Sequence, residues 1–466
     1  MEKWLGAALD YIPRWLEFQM RVTAQPGCAV AVAHNGRVAL DEAFGHADLT
    51  RDVVLTPRHR FRVASHSKSF TAAGVMLLRE RGRLRLDDAV GQYVADLHPD
   101  VARVTLAQLL SHSAGLVRDG ADAGQWTDQH PFRTAAELRE DMAAGTAIEP
   151  NSRFKYSNHG FGLLGMVIEA ITGEPYATWV RQEIVDAVGL ADTLPDVPLP
   201  RGTPFARGHS ATLPLGRRVV IPGDNSTQAL AAATGFVSTA SDLTRFFAQL
   251  SPSAKKSVLS VASRREMTRA QWRDPHASLE RWYGLGTMSG SLGDWGWFGH
   301  SGGFQGYITR TAVLPSQALA IAVLTNATDG PSHFWLDGAV RVLRAFARNG
   351  APTRRTAAWT GRWWSLWGAV DLLPMRDTVM VATPAMMNPL LDASEVTPAG
   401  RDRGRITLAT GFGNHGEPAH LVRNARGRVS EVWLGGGRLR PEAAVARELE
   451  RRYDGRPSRR RKPQPR

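Results

Sequence analysis

Residues 63–78 read VASHSKSFTAAGVMLL, with Ser65 three places ahead of Lys68 at the head of an apolar run. Phe70, Ala73, Met76 and Leu77 recur at helical spacing, and Gly82 lies where such a helix stops, so a helix is predicted to begin near Ser65. Positions i and i+3 share a helix face, which sets Lys68 one turn beyond Ser65 and within its reach, with Ser67 pointing elsewhere. A serine hydroxyl is a poor nucleophile at neutral pH and needs such a base. The free N–H groups and positive dipole end of a helix N-terminus favour an oxyanion forming beside it. On these residues alone, a capping serine on an ordinary surface helix is the competing reading.

Working outward, residues 27–48, GCAVAVAHNGRVALDEAFGHAD, alternate as two strands about Asn35-Gly36, a type I′ hairpin signal. Helical and loop segments follow, among them VTLAQLLSHSAGL (104–116), FKYSNHGFGLLGMVIEAITG (154–173) and TASDLTRFFAQL (239–250). Strands return late: GYITRTAVLP and ALAIAVLTN flank Pro315-Ser316-Gln317 as a hairpin of β-branched residues. Strands at both ends with helices between them predict one antiparallel sheet built from sequence-distant strands and backed by helices, an α+β architecture. RNGAPTRRT (348–356) reads as a linker. Beyond it, four tryptophans from Trp359 to Trp367 and short alternating segments predict a small antiparallel β module. The expected division is 1–347, a linker 348–358, the β module 359–447, and a basic disordered tail 448–466.

The chain has 466 residues, enough for one large domain and a smaller one, and a net charge of +13. In the last sixteen residues eight Arg or Lys face one Asp, which reads as a solvated tail rather than a specific nucleic-acid surface. The one cysteine, Cys28, excludes an intrachain disulfide framework and is read as a buried, inert thiol. Asp10, Arg14 and Glu17 interrupt the first twenty residues, so these are read as an amphipathic helix rather than a signal peptide. With no apolar run of membrane-spanning length, the expectation is a cytoplasmic protein.

Two further stretches carry chemistry. In KYSN, Tyr156 and Asn158 stand two apart, so an extended backbone projects a phenol and an amide to one side. An ammonium beside that phenol favours phenolate. In FGHSGGFQGY (298–307), the glycines permit close approach of a substrate to the backbone, the Gly303 N–H is a second oxyanion donor beside that of Ser65, and His300 is expected to project into the cleft. Gly299 to Gly303 also fits G-x-S-x-G, a nucleophile elbow on Ser301, but the residues that follow read as a strand where that motif requires a helix.

Ser65-His66-Ser67-Lys68, Tyr156-Ser157-Asn158 and His300-Ser301-Gly302 together resemble the S-x-x-K, Y-x-N and H-x-G marks of the serine β-lactamase and penicillin-binding-protein superfamily, in its class C, D-aminopeptidase and esterase branch. The resemblance covers about residues 20–330 and implies a β-lactamase/transpeptidase-like fold with an all-helical region. The β module is similar to the small lipocalin-like barrel of some aminopeptidase-type members. By that resemblance Ser65 forms an acyl-enzyme, Lys68 and Tyr156 share the acid–base work, and Asn158, His300, Gly302 and Gly303 contact substrate. Either Lys68 or Tyr156 is the base. His300 stands where many β-lactamases have lysine, so a neutral imidazole offers less to an anion, and esters, amides or short D-amino-acid peptides become the expected substrates. The alternative is a β-lactamase or a penicillin-binding sensor that acylates without efficient turnover. No metal or other cofactor is expected, and no partner beyond the small-molecule substrate; the oligomeric state is left open.

Overall fold

The computed structural model describes residues 2–213, 215–276 and 280–453. Within these described residues the chain divides into two compact units, one spanning 23–336 and the other 2–22 with 337–453.

The larger unit is built on a nine-stranded antiparallel sheet. Strand Gly27–His34 is buried along nearly its whole length and lies between its own hairpin partner, Arg37–Asp48, and the far strand Leu319–Thr325. Cys28 opposite Thr325 and His34 opposite Leu319 fix that register. Burial of both faces explains the near-continuous small and β-branched run in Gly27–His34. Asn35 and Gly36, at φ 53° and 74°, make the tight turn that the Asn-Gly dipeptide announces. The late hairpin closes through Pro315–Gln317, and strands Trp295–Phe304 and Tyr307–Leu314 extend the sheet. Cys28 is fully buried, and burial pushes its thiol far up, so it is held as an unreactive thiol.

Helix Ser67–Glu80 is buried from Ser67 to Leu78, and the aromatic rings of Phe236 and Phe246 stack on Phe70 at 4.2 Å and 3.7 Å. Helix Asn158–Thr172 is capped by the Ser157 side chain, which accepts from the Gly160 N–H, and ends at Gly173 in the left-handed conformation. Thr239 caps helix Ala240–Gln249 in the same way.

The smaller unit carries an eight-stranded antiparallel meander from Gly361–Ser365 to Gly437–Leu439, whose first and last strands approach through a bridge between Trp364 and Arg440. Trp359 and Trp363 lie in its core with Leu372, Val379 and Val432, whereas Trp367 is 95% exposed. Helix Lys3–Thr23 groups with this sheet: Tyr11 Oη donates to Asp371 at 3.0 Å, and Gln19 donates to the Pro384 carbonyl at 2.6 Å. A terminal helix, Glu442–Tyr453, contains residues 448–453 of the segment expected to be disordered; from Asp454 onward that segment lies outside the described residues. Among the described residues no helix is long and apolar enough to cross a membrane.

Candidate active site

Ser65 sits in a single 3₁₀ turn, Ala64–His66, that runs directly into helix Ser67–Glu80. Ala64 has φ +49°, an unfavourable conformation for a residue with a Cβ, so backbone strain is held beside Ser65. Three contacts hold this turn. Ser67 Oγ donates to the Ala64 carbonyl at 2.5 Å and accepts from the Phe236 N–H at 3.0 Å. Strand Trp295–Phe304 presses Gly302 so close that a Cβ there would lie 2.2 Å from the Val63 carbonyl oxygen. Just upstream, Arg62, fully buried, is paired with Asp196 at 3.0 Å and lies over the Phe304 ring at 4.3 Å.

The i, i+3 relation delivers Lys68 Nζ to 3.1 Å from Ser65 Oγ. Tyr156 Oη lies 2.7 Å from the same Ser65 oxygen. Lys68 Nζ is also 2.7 Å from Asn158 Oδ1 and 2.8 Å from the Ala233 carbonyl. Asn158 is the first residue of its helix, so Tyr156 and Asn158 are delivered by an extended residue and a helix start. Asn158 Nδ2 in turn donates to Asp119 at 2.6 Å.

Burial acts on the charge of both Lys68 and Tyr156. Lys68 is fully buried and its ammonium is disfavoured well below the ordinary lysine value, an effect that the Asp119 carboxylate opposes and Arg118 reinforces. Burial pushes the Tyr156 phenol up, although its bond to Ser65 and the nearby Arg118 work the other way. Burial thus works against the ammonium-assisted phenolate expected from sequence: it disfavours the charged form of both groups.

These residues open on a cleft of about 460 Å³ lined by Ser65, Tyr156, Asn158, His300, Ser301 and Gly303. Its walls include Trp126, Phe154, Trp282, Tyr283 and Met288, with Arg118, Arg281 and Asp274 as its charged groups. Arg281 is paired with Asp274 at 2.9 Å and Arg118 with Asp119 at 3.2 Å. His300 lines the cleft but is only 1% exposed, and its Nε2 lies 2.9 Å from Tyr283 Oη. Burial depresses its protonation strongly, so the imidazole is neutral. Gly302 is not in the lining: it is packed against Val63, and close backbone approach accounts for glycine there. Ser301 lies inside strand Trp295–Phe304, with its Oγ 3.5 Å from Met288 Sδ, and another strand follows, so the strand–turn–helix context of a nucleophile elbow is absent.

The motifs did not point to Asp119, the Ala233 carbonyl or His112. His112 accepts from the Ser157 N–H at 3.1 Å and lays its ring 4.2 Å from that of Tyr156. Its segment, LLSHSAGL, was legible only as a short helix and loop. Asp119 follows in a loop whose sequence carries no periodic or spacing signal. Among the described residues no group of three or more His, Cys, Asp or Glu could hold a metal ion.

The beta-lactamase family model matches residues 14–344, and the chain belongs to that family. In sequence it is 27% identical to Protein flp of Staphylococcus aureus over 172 residues, 36% of this chain and 34% of that protein, so the match spans about a third of the relative's length. In structure it resembles the octameric penicillin-binding protein homologue from Pyrococcus abyssi, with TM-score 0.65 and 22% identity over 92% of this chain and 99% of that one. It also resembles the D-amino acid amidase from Ochrobactrum anthropi SV3 complexed with L-phenylalanine amide, with TM-score 0.62 and 26% identity over 73% of this chain and 99% of that one.

Proposed function

We propose that the protein is a serine hydrolase that acylates Ser65 and releases the acyl group to water, with Lys68 as the base. The contact of Lys68 Nζ with Ser65 Oγ at 3.1 Å carries the assignment. In the amine form, which burial favours, Lys68 has two N–H hydrogens, and the Asn158 and Ala233 oxygens, at 2.7 Å and 2.8 Å, accept both. The lone pair is then left facing Ser65 Oγ at 3.1 Å, so the hydroxyl donates to the amine and is poised to lose its proton. Tyr156, a phenol, donates to Ser65 Oγ in the resting site and hands a proton to the leaving group as the tetrahedral intermediate collapses. Water repeats the sequence in reverse to free Ser65. The backbone N–H groups of Ser65 and Gly303 are the proposed oxyanion donors, since both residues line the cleft.

The substrate class is an ester, amide or short D-amino-acid peptide whose acyl part is apolar. Trp126, Phe154, Trp282 and Met288 favour such a group, the neutral His300 supplies no cation for a carboxylate, and the lining Arg118 and Arg281 are each paired with an aspartate. The test is turnover of p-nitrophenyl esters and D-phenylalanine amide by wild type and by Ser65→Ala. Steady turnover that Ser65→Ala abolishes supports the reading. A stoichiometric burst without turnover would point to the penicillin-sensing alternative, and activity surviving in Ser65→Ala would refute Ser65 as nucleophile.

A further inference from the structure

One end of the smaller unit gathers arginine. In an up-and-down meander alternate connections fall at the same end, so residues 376–377, 399–402 and 424–428 lie together. The segment 350–358 joins them through a bridge between Pro352 and Arg376. With Arg403 and Arg423 at the adjoining strand ends, this end holds eight arginines, Arg354, Arg355, Arg376, Arg401, Arg403, Arg423, Arg426 and Arg428, against Asp377 and Asp402. Asp402 is already engaged by Arg423 at 2.7 Å. Arg354, Arg355 and Arg401 have no ion pair among the described residues, yet they line one cleft of about 760 Å³ with Arg423, Ala358, Ala399 and Gly400.

Asp402 offsets part of this charge through Arg423 and Arg401, but the arginines outnumber the carboxylates, so the cleft carries a net positive potential. We propose that it binds a free oligophosphate, a chain of three or more phosphate groups. A guanidinium presents a planar fork that pairs bidentately with phosphate oxygens, and several forks in one cleft match a ligand with several negative charges. The lining is arginine, alanine and glycine, with no aromatic face for a nucleobase and no apolar wall for an acyl chain. That restricts the ligand to a compact polyanion. The site lies wholly in the smaller unit and stands independently of the proposed hydrolase chemistry.

The experiment is calorimetric titration of the full-length protein with sodium tripolyphosphate at low and high salt, beside flotation with phosphatidylglycerol vesicles. Wild type binds tripolyphosphate, with affinity falling as salt rises. The Arg354→Ala/Arg401→Ala variant, checked for an unchanged thermal melt, binds at least tenfold more weakly. A variant with Arg456, Arg459, Arg460, Arg461, Lys462 and Arg466 replaced by glutamine separates the cleft from the basic tail and stays within twofold of wild type. The control Arg37→Ala/Arg153→Ala, on the larger unit, does likewise. Absence of tripolyphosphate binding, binding to vesicles only, loss in the tail variant instead of the cleft variant, or equal loss in the control each overturns the proposal.

Discussion

Lys68→Met tests the central chemistry most directly. Methionine fills much of the same volume and removes the lone pair that faces Ser65 Oγ at 3.1 Å. Loss of a positioned general base costs up to about 10³ to 10⁴-fold, or ~4–5.5 kcal/mol of barrier, and that fall is expected in kcat/KM. Stability moves much less. Two acceptors, Asn158 Oδ1 and the Ala233 carbonyl, lose a donor, at about 1–3 kcal/mol each, and this is offset by no longer having to dehydrate an amine. Lys68→Arg is expected to be equally inactive, because a guanidinium stays charged and offers no lone pair. The assay is kcat/KM for a p-nitrophenyl ester across pH. In wild type the acid limb reports deprotonation of Lys68 and lies well below the ordinary lysine pKa of 10.5. Tyr156→Phe keeps that limb and loses about 10²-fold in rate. A Lys68→Met enzyme that retains more than about a tenth of wild-type activity, or that keeps the same acid limb, refutes the assignment of Lys68 as base.

Asp196→Ala leaves the fully buried Arg62 without its 3.0 Å partner and is expected to cost about 3–5 kcal/mol in chemical denaturation. A loss under 1 kcal/mol would show that the Asn225 carbonyl, at 3.2 Å, suffices to hold the guanidinium. Gly302→Ala drives a Cβ into backbone at 2.2 Å and is expected to lower both Tm and activity, whereas Gly303→Ala meets only Ile308 Cδ1 at 3.6 Å and leaves Tm nearly unchanged. Equal melting temperatures for the two variants would contradict the packing argument. Burial holds His66 neutral down to about pH 3, and His112 and His300 are likewise depressed well below 6.5. The unfolded chain takes up those protons as pH falls below 6.5 while the native state does not, so each histidine lowers stability by up to about 1.4 kcal/mol per pH unit in that range. Together the three make stability fall as pH drops from 6.5 towards 4.5, and denaturation midpoints that rise with acidification would exclude this.

Local rules made much of the molecule legible in sequence. The Asn35-Gly36 turn, the cap at Thr239, the late hairpin at Pro315–Gln317 and the tryptophan-led β meander each rest on contacts between near neighbours, which periodicity and turn chemistry encode. The pairing of Ser65 with Lys68 is of the same kind, since three residues on a helical path are one turn apart whatever surrounds them. What the chain order could not supply is the company these groups keep. The separation of 91 positions from Ser65 to Tyr156 is closed to 2.7 Å only by the fold. Asp119, the Ala233 carbonyl and the His112 ring reach the site from loops and turns without pattern. Charge depends on the fold as well: sequence allowed either an ammonium beside a phenolate or an amine beside a phenol, and only burial, a property of the tertiary structure, favours the second, because removing ions from water is costly.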